Sequence, residues 1–152
     1  MNCIFCKIAK KEEPSHLIWE DDKHMAFLSI FPNTPGFSVV IPKQHYSSYA
    51  FNLNDTELSE LVLATKKVAL LLDRSLDGVA RTGMIFEGYG VDHVHAKLFP
   101  MHGTGSSSHF KKISSNNDKY FTQYEGYISS HDYKRASEDD LEKIAKHIRA
   151  FL

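Results

Sequence analysis

Residues 93–100 read HVHAKLFP, and in an extended chain successive side chains point to opposite faces. His93, His95, Lys97 and Phe99 then share one side, and Val94, Ala96 and Leu98 the other. One face is apolar; the other carries imidazole, imidazole and ammonium. Neighbours two apart on such a face are roughly 7 Å from one another, too far to chelate one ion unless the strand bends. A division of labour is more natural, with His93 given to a metal and His95 to chemistry. A neutral imidazole serves as nucleophile or general base at neutral pH, and Lys97 beside it supplies positive charge for an anion. A phosphate group suits that combination. The glycines of the preceding EGYG, Gly88 and Gly90, permit close backbone approach to a ligand. The plainer alternative is that His95 and Lys97 belong to a solvated sheet face.

The only two cysteines, Cys3 and Cys6, form one CxxC, whereas a secreted disulfide framework spreads its cysteines along the chain. A thioredoxin-like pair belongs after a strand in a βαβ pattern, not at the start of a chain, so metal binding is favoured over redox chemistry. Zinc prefers four ligands, and two thiolates must be joined by two more, usually histidines. His45, just after a strand ending at Pro42, and His93 are the best placed of the nine histidines. Such a site would staple an N-terminal helix to two strands. Two cysteines packed simply as small hydrophobes are the competing reading.

Several elements must position these groups. Asn2 can cap a short helix from Cys3 to about Lys10, ended by KKEEPS. Strands follow at His16 to Glu20, Met25 to Leu28 and Gly36 to Pro42, separated by an EDDK turn and a proline-punctuated FPNTPG loop. Leu58, Leu61, Val62, Thr65, Val68, Ala69 and Leu72 recur at helical spacing, with Asn54 and Glu57 set as a capping box and Gly78 as the stop. Two more strands run from Thr82 to Phe86 and from His93 to Pro100, and residues 101–134 turn polar and irregular. A last helix starts at Ser137 and Asp140 and carries Leu141, Ile144, Ala145, Ile148 and Leu152 on one stripe. Strands grouped around one long helix without βαβ alternation indicate an α+β protein with an antiparallel sheet. Residues 1–102 form the core of this reading, and residues 103–152 add a polar loop region and a helix packed on the same domain.

The chain has 152 residues and a formal net charge of −1 with scattered basic groups. That balance lacks the broad positive field of a nucleic-acid binder and favours a small-molecule partner. No run has the character of a signal peptide or the length to span a bilayer, so a cytoplasmic protein with no membrane partner is expected.

CIFCKI, the EDD turn, AFLSI, TPGFSVVIPKQH and HVHAKLFP together resemble the histidine triad (HIT) nucleotide-binding superfamily over roughly residues 1–102. The resemblance implies a five-stranded antiparallel sheet with helices packed on it, and a homodimer that continues the sheet across its interface. It implies that His95, the middle residue of the triad, attacks the α-phosphorus of a nucleotide to form a nucleotidyl-histidine that water hydrolyses. In members with an N-terminal CxxC, zinc lies on positions matching Cys3, Cys6, His45 and His93, the set reached above by counting ligands. Base and sugar contacts map to Ile4, Phe5, Ile8, Phe27 and Ile30, each an apolar residue that could equally be core. Lys97 occupies the place of the third histidine, Ser29 that of an aspartate on the ribose, and Phe86 that of a commonly polar residue. EGYGVDH is shorter than the usual phosphate loop. These departures leave three expectations in order: a zinc-stabilised nucleotide hydrolase or nucleotidyl transferase that cleaves a phosphoanhydride or phosphoramidate through His95 with Lys97 beside it, a nucleotide-binding module with little chemistry, and a metal-dependent fold alone. A lysine in place of the third histidine attracts charge but does not readily shuttle a proton at neutral pH, so leaving-group protonation comes from elsewhere or the leaving group is a good one; His102 and His109, just past the strand, are candidates for the donor, with surface histidines as the alternative.

Overall fold

The computed structural model describes residues 2–105, 110, 112–126 and 133–152. Five strands, β1 (Leu17–Glu20), β2 (His24–Leu28), β3 (Ser38–Pro42), β4 (Val79–Ile85) and β5 (Ala96–His102), form one sheet in the order β1-β2-β3-β5-β4. Every pairing is antiparallel. Three helices accompany them: α1 (Ile4–Ala9), α2 (Asp55–Ser75) and α3 (Glu138–Arg149). The α+β architecture expected from the grouping of strands is the one observed.

The sheet separates two cores. On one side Ile18, Ala26, Leu28, Val40, Ala96 and Leu98 meet the inner faces of α2 and α3. On the other, Met25, Phe27, Val39 and Ile41 meet Phe5 and Ile8 of the short α1. Adjacent residues of β2 and β3 thus go to different cores, as the two-residue period of a strand requires, and both strands are buried throughout. Val94, Ala96 and Leu98 fall in the larger core, which turns His93, His95 and Lys97 toward the α1 side.

Several boundaries differ from expectation. Cys3, not Asn2, is the N-cap of α1. β5 begins at Ala96 rather than His93, because His93 N–H donates to the Val91 carbonyl and Val94 N–H to the Tyr46 carbonyl, outside the ladder. At its other end β5 runs on to His102, which pairs with Val79 at the start of β4. On α2 the buried stripe is Leu61, Ala64, Thr65, Val68, Leu71, Leu72 and Ser75, while Val62 is 36% exposed. The contact face is turned relative to the expected one because α2 packs at once against β3, β4, β5 and α3. Leu152 lies beyond α3 and is exposed.

Asn54 caps α2 as expected, its Oδ1 accepting from Glu57 N–H at 2.9 Å. Asn54→Ala should cost about 1 kcal/mol, seen as a fall of a few degrees in Tm for a chain of this size. An unchanged denaturation midpoint would contradict that cap's contribution.

Candidate functional site

The CxxC sits at the start of α1, and helical spacing turns both sulfurs toward the same neighbours. Cys6 Sγ lies 3.4 Å from His45 Nδ1, and His93 Nδ1 lies 3.5 Å from both Cys3 Sγ and Cys6 Sγ. All four ligand atoms fall within 4.8 Å of one another. A tetrahedron with Zn–S and Zn–N bonds of ordinary length has edges of about 3.3–3.8 Å, so the thiol-to-imidazole distances already suit one ion. The protonation pattern agrees. His93 Nε2–H donates to the Pro42 carbonyl at 2.8 Å, leaving Nδ1 as a lone pair, and burial above all holds this imidazole below its ordinary pKa. A carbonyl that orients a ligand histidine is a common feature of metal sites. Burial first, then the hydrogen bond and charge of Cys3, push the Cys6 thiol up; a cation between the sulfurs reverses that preference. The four residues fit a metal ion.

His95 follows directly. Its Nδ1–H donates to the carbonyl of His93 at 2.7 Å, which makes Nε2 the nitrogen with a free lone pair. The ring does not stand on an open sheet surface as the alternating pattern suggests: it is 4% exposed, roofed by Phe5 with ring centres 5.2 Å apart. The reason is α1, which the metal-ligand cluster and the smaller core hold over this part of the sheet. The roof is not sealed. Among the described residues no fully enclosed side-chain nitrogen or oxygen lacks a hydrogen-bond partner, so Nε2, which has none, still reaches the surface. Burial pushes the His95 imidazole below its ordinary pKa; the Lys97 charge adds to that push, while the bond to the His93 carbonyl and the Glu87 charge oppose it.

Lys97 is not a free cation on a sheet face. Its Nζ lies 2.6 Å from Glu87 Oε1, and the two side chains are 13% and 6% exposed. Sequence reading missed Glu87. Antiparallel pairing of β4 with β5 sets Ile85 opposite Lys97, so a carboxylate just past the end of β4 was the available signal. The loop from Glu87 to Asp92 is tied down elsewhere: Ser48 N–H donates to Asp92 Oδ1 at 2.9 Å. Gly88 has φ of +76°, and a Cβ there would stand 2.7 Å from the Ser48 carbonyl oxygen. Its freedom thus serves a close approach within the protein. Gly90 is exposed, with open space where a Cβ would project.

The other expected contacts spread more widely. Phe27 packs edge-on against Phe5 at 5.5 Å, and Ile8 joins the same core. Ile4 is 41% exposed. Ile30 packs against the larger core, across the sheet from His95, and Ser29 Oγ accepts from Phe31 N–H at 3.2 Å within its own loop. Ser29 also lines a cleft of about 200 Å³ against α3, and a second cleft of about 630 Å³ opens between β2, β3 and the start of α2; His95 lines neither. His102 donates to the Pro35 carbonyl at 2.7 Å and stands seven residues down the strand from His95, about 23 Å at strand rise, so it is no proton donor there. His109 lies outside the described residues. Among those described, no helix is long and apolar enough to cross a membrane.

Comparison with known proteins converges on one group. The HIT domain family matches residues 10–104. An uncharacterized HIT-like protein of Methanocaldococcus jannaschii is 34% identical over 118 residues, which is 74% of this chain and 90% of that protein. An adenosine 5′-monophosphoramidase of Schizosaccharomyces pombe is 33% identical over 66% of this chain and 74% of its own. Among solved structures, a hypothetical histidine triad nucleotide-binding protein from Sulfolobus tokodaii superposes with a TM-score of 0.74 at 23% identity, covering 98% of this chain and 91% of that one; this likeness is one of fold. With residues 10–104 of 152 inside the family's domain and the five-stranded sheet and three helices in place, the chain belongs to the HIT domain family.

Proposed function

We propose that the chain is a nucleotide hydrolase or nucleotidyl transferase in which His95 Nε2 attacks the α-phosphorus of a (di)nucleoside polyphosphate or a nucleoside phosphoramidate. The observation that carries this is the 2.7 Å bond from His95 Nδ1–H to the His93 carbonyl. It fixes the tautomer that leaves Nε2 nucleophilic, and burial keeps the ring neutral. Lys97, standing for the third histidine of the triad, and Glu87 beside it bear on the charge that develops at phosphorus. Phe5, which roofs His95, and Phe27 packed on it form one wall for the nucleotide, with Ile4, Ile8 and Gly90 as further contacts; Ser29 and Ile30 belong to the other side of the sheet from His95. The fission-yeast relative, named an adenosine 5′-monophosphoramidase, supports a reading in which the chain acts on a nucleotide.

Zinc is the ion for Cys3, Cys6, His45 and His93, because two thiolates with two imidazoles in a closed tetrahedral set are its preferred structural ligands. Its role is to hold α1 on the sheet. The family's homodimer would extend the sheet beyond β4, an edge strand whose Met84 is 46% exposed; analytical ultracentrifugation giving a monomer at micromolar concentration would remove that assignment.

Rapid quenching of the protein with a labelled dinucleoside polyphosphate in alkaline denaturant is expected to leave a nucleotidyl group on His95, located by mass spectrometry with the sample kept alkaline throughout. Label on another residue, or none during turnover, would contradict the mechanism. The Lys97–Glu87 bond favours a second reading, a module that binds nucleotides with little turnover, and calorimetric binding without product across such substrates would select it.

A further inference from the structure

Lys97 and Glu87 form the most enclosed ion pair among the described residues, 2.6 Å apart with side chains 13% and 6% exposed. It lies beside the nucleophile: Lys97 follows His95 by two positions on the same face, since Val94, Ala96 and Leu98 turn into the opposite core. An ammonium held in this way can attract a phosphate oxygen. Handing over a proton is a different matter, since that would dissolve a charge-assisted bond between two groups largely withdrawn from water. Nor, among the described residues, do the neighbouring histidines serve. His45 and His93 belong to the metal cluster, and His102 is bonded to the Pro35 carbonyl at the far end of β5.

A cation that keeps its proton selects among leaving groups. As the His95 Nε2–P bond forms, the bond from phosphorus to the leaving group breaks and its electron pair goes to the departing atom. A phosphate, a pyrophosphate or a carboxylate departs as a stable anion and needs no proton. An amine leaving a phosphoramidate must be protonated on nitrogen as it departs, and a general acid ordinarily supplies that proton. We propose that the Lys97–Glu87 pair makes this a site for nucleotide acid anhydrides, which release stable anions, and disfavours nucleoside phosphoramidates. The inference rests on the reading of His95 as the nucleophile and goes beyond it by naming the leaving-group class.

The test uses the full chain and a series of nucleoside 5′-phosphoryl compounds: a dinucleoside polyphosphate, nitrophenyl and phenyl esters, and an alkyl phosphoramidate. The wild type should cleave the anhydride and the nitrophenyl ester, lose rate steadily as the leaving group becomes more basic, and take the phosphoramidate about 10²-fold more slowly or worse, the usual worth of a missing general acid. Lys97→His, which installs a ring able to exchange a proton near neutral pH, should narrow that gap by about tenfold or more. Wild-type kcat/KM for the phosphoramidate within about tenfold of the anhydride overturns the proposal, whether or not the variant folds. So does a gap left unchanged in a folded Lys97→His protein. If nucleotidyl-His95 is trapped while rate is indifferent to leaving group, only the anhydride assignment falls. If no compound in the series is turned over and none labels His95, the nucleophile reading falls and takes this one with it.

Discussion

Replacing Cys3 or His45 by alanine is expected to abolish stoichiometric zinc binding and, with it, to release α1 from the sheet. The helix has little strength of its own. It spans six residues, its N-cap makes no side-chain hydrogen bond, and no acidic residue sits in its first turn, whereas an isolated helix of that length is unstable in water. What holds it is the burial of Phe5 and Ile8 and the ligand cluster joining Cys3 and Cys6 to His45 and His93. An ion present a thousandfold above its dissociation constant stabilises the folded state by about 4 kcal/mol, which for a chain of this size is on the order of 10 °C in Tm. The larger core on α2 and α3 lies across the sheet from α1, so far-ultraviolet circular dichroism should change little. Amide exchange should accelerate in α1 and around His93. Because thiolates and neutral imidazoles are required, zinc occupancy should also fall as the solution is acidified. Wild-type protein that takes up no zinc on reconstitution, or a Cys3→Ala protein that keeps a full equivalent, would sink the assignment.

How much of this was visible beforehand depends on whether a feature was local. The two-residue period of Val94, Ala96 and Leu98 survives folding because the larger core needs all three on one side. The Asn54 cap survives because its bond reaches only three residues ahead. The grouping of Cys3, Cys6, His45 and His93 was legible for a chemical reason: a metal held by two thiolates takes two further ligands, usually imidazoles, whatever the route of the chain between. The burial of His95 was not legible, since the side chain that roofs it, Phe5, is ninety residues earlier in sequence. Nor was the start of β5, where His93 and Val94 direct their N–H groups to Val91 and Tyr46 instead of to a strand. Glu87 shows the same limit from another side: its partner is set by the register of β4 on β5, and register is a property of pairs. Residues 103–135 offer neither helical nor strand period; where the segment is described its links include Lys119 to Glu125 at 2.7 Å and a ring contact of Tyr124 on Tyr89 at 5.8 Å.

His95→Gly should lower nucleotide turnover by on the order of 10³-fold or more, the scale seen when a covalent nucleophile is removed, while zinc content stays at one equivalent. The two readouts separate because His95 is bonded to the cluster through the main chain of His93 and not through its side chain: the carbonyl that accepts from His95 Nδ1–H belongs to the residue whose ring faces the thiols. Deleting the imidazole therefore leaves the ligands alone and opens a space beneath Phe5. Free imidazole should enter that space, since the position of Nε2 reaches the surface, and should restore part of the rate in proportion to its concentration. Rescue of this kind demands that the ring act chemically, because a ring needed only to fill volume would restore stability and not turnover. The reverse dependence is also expected. Loss of the metal loosens the His93 carbonyl and the Phe5 roof together, so a chelated wild-type protein should lose turnover even though zinc touches no reacting atom. A His95→Gly protein that turns over nucleotides undiminished would end the case for this imidazole as the nucleophile.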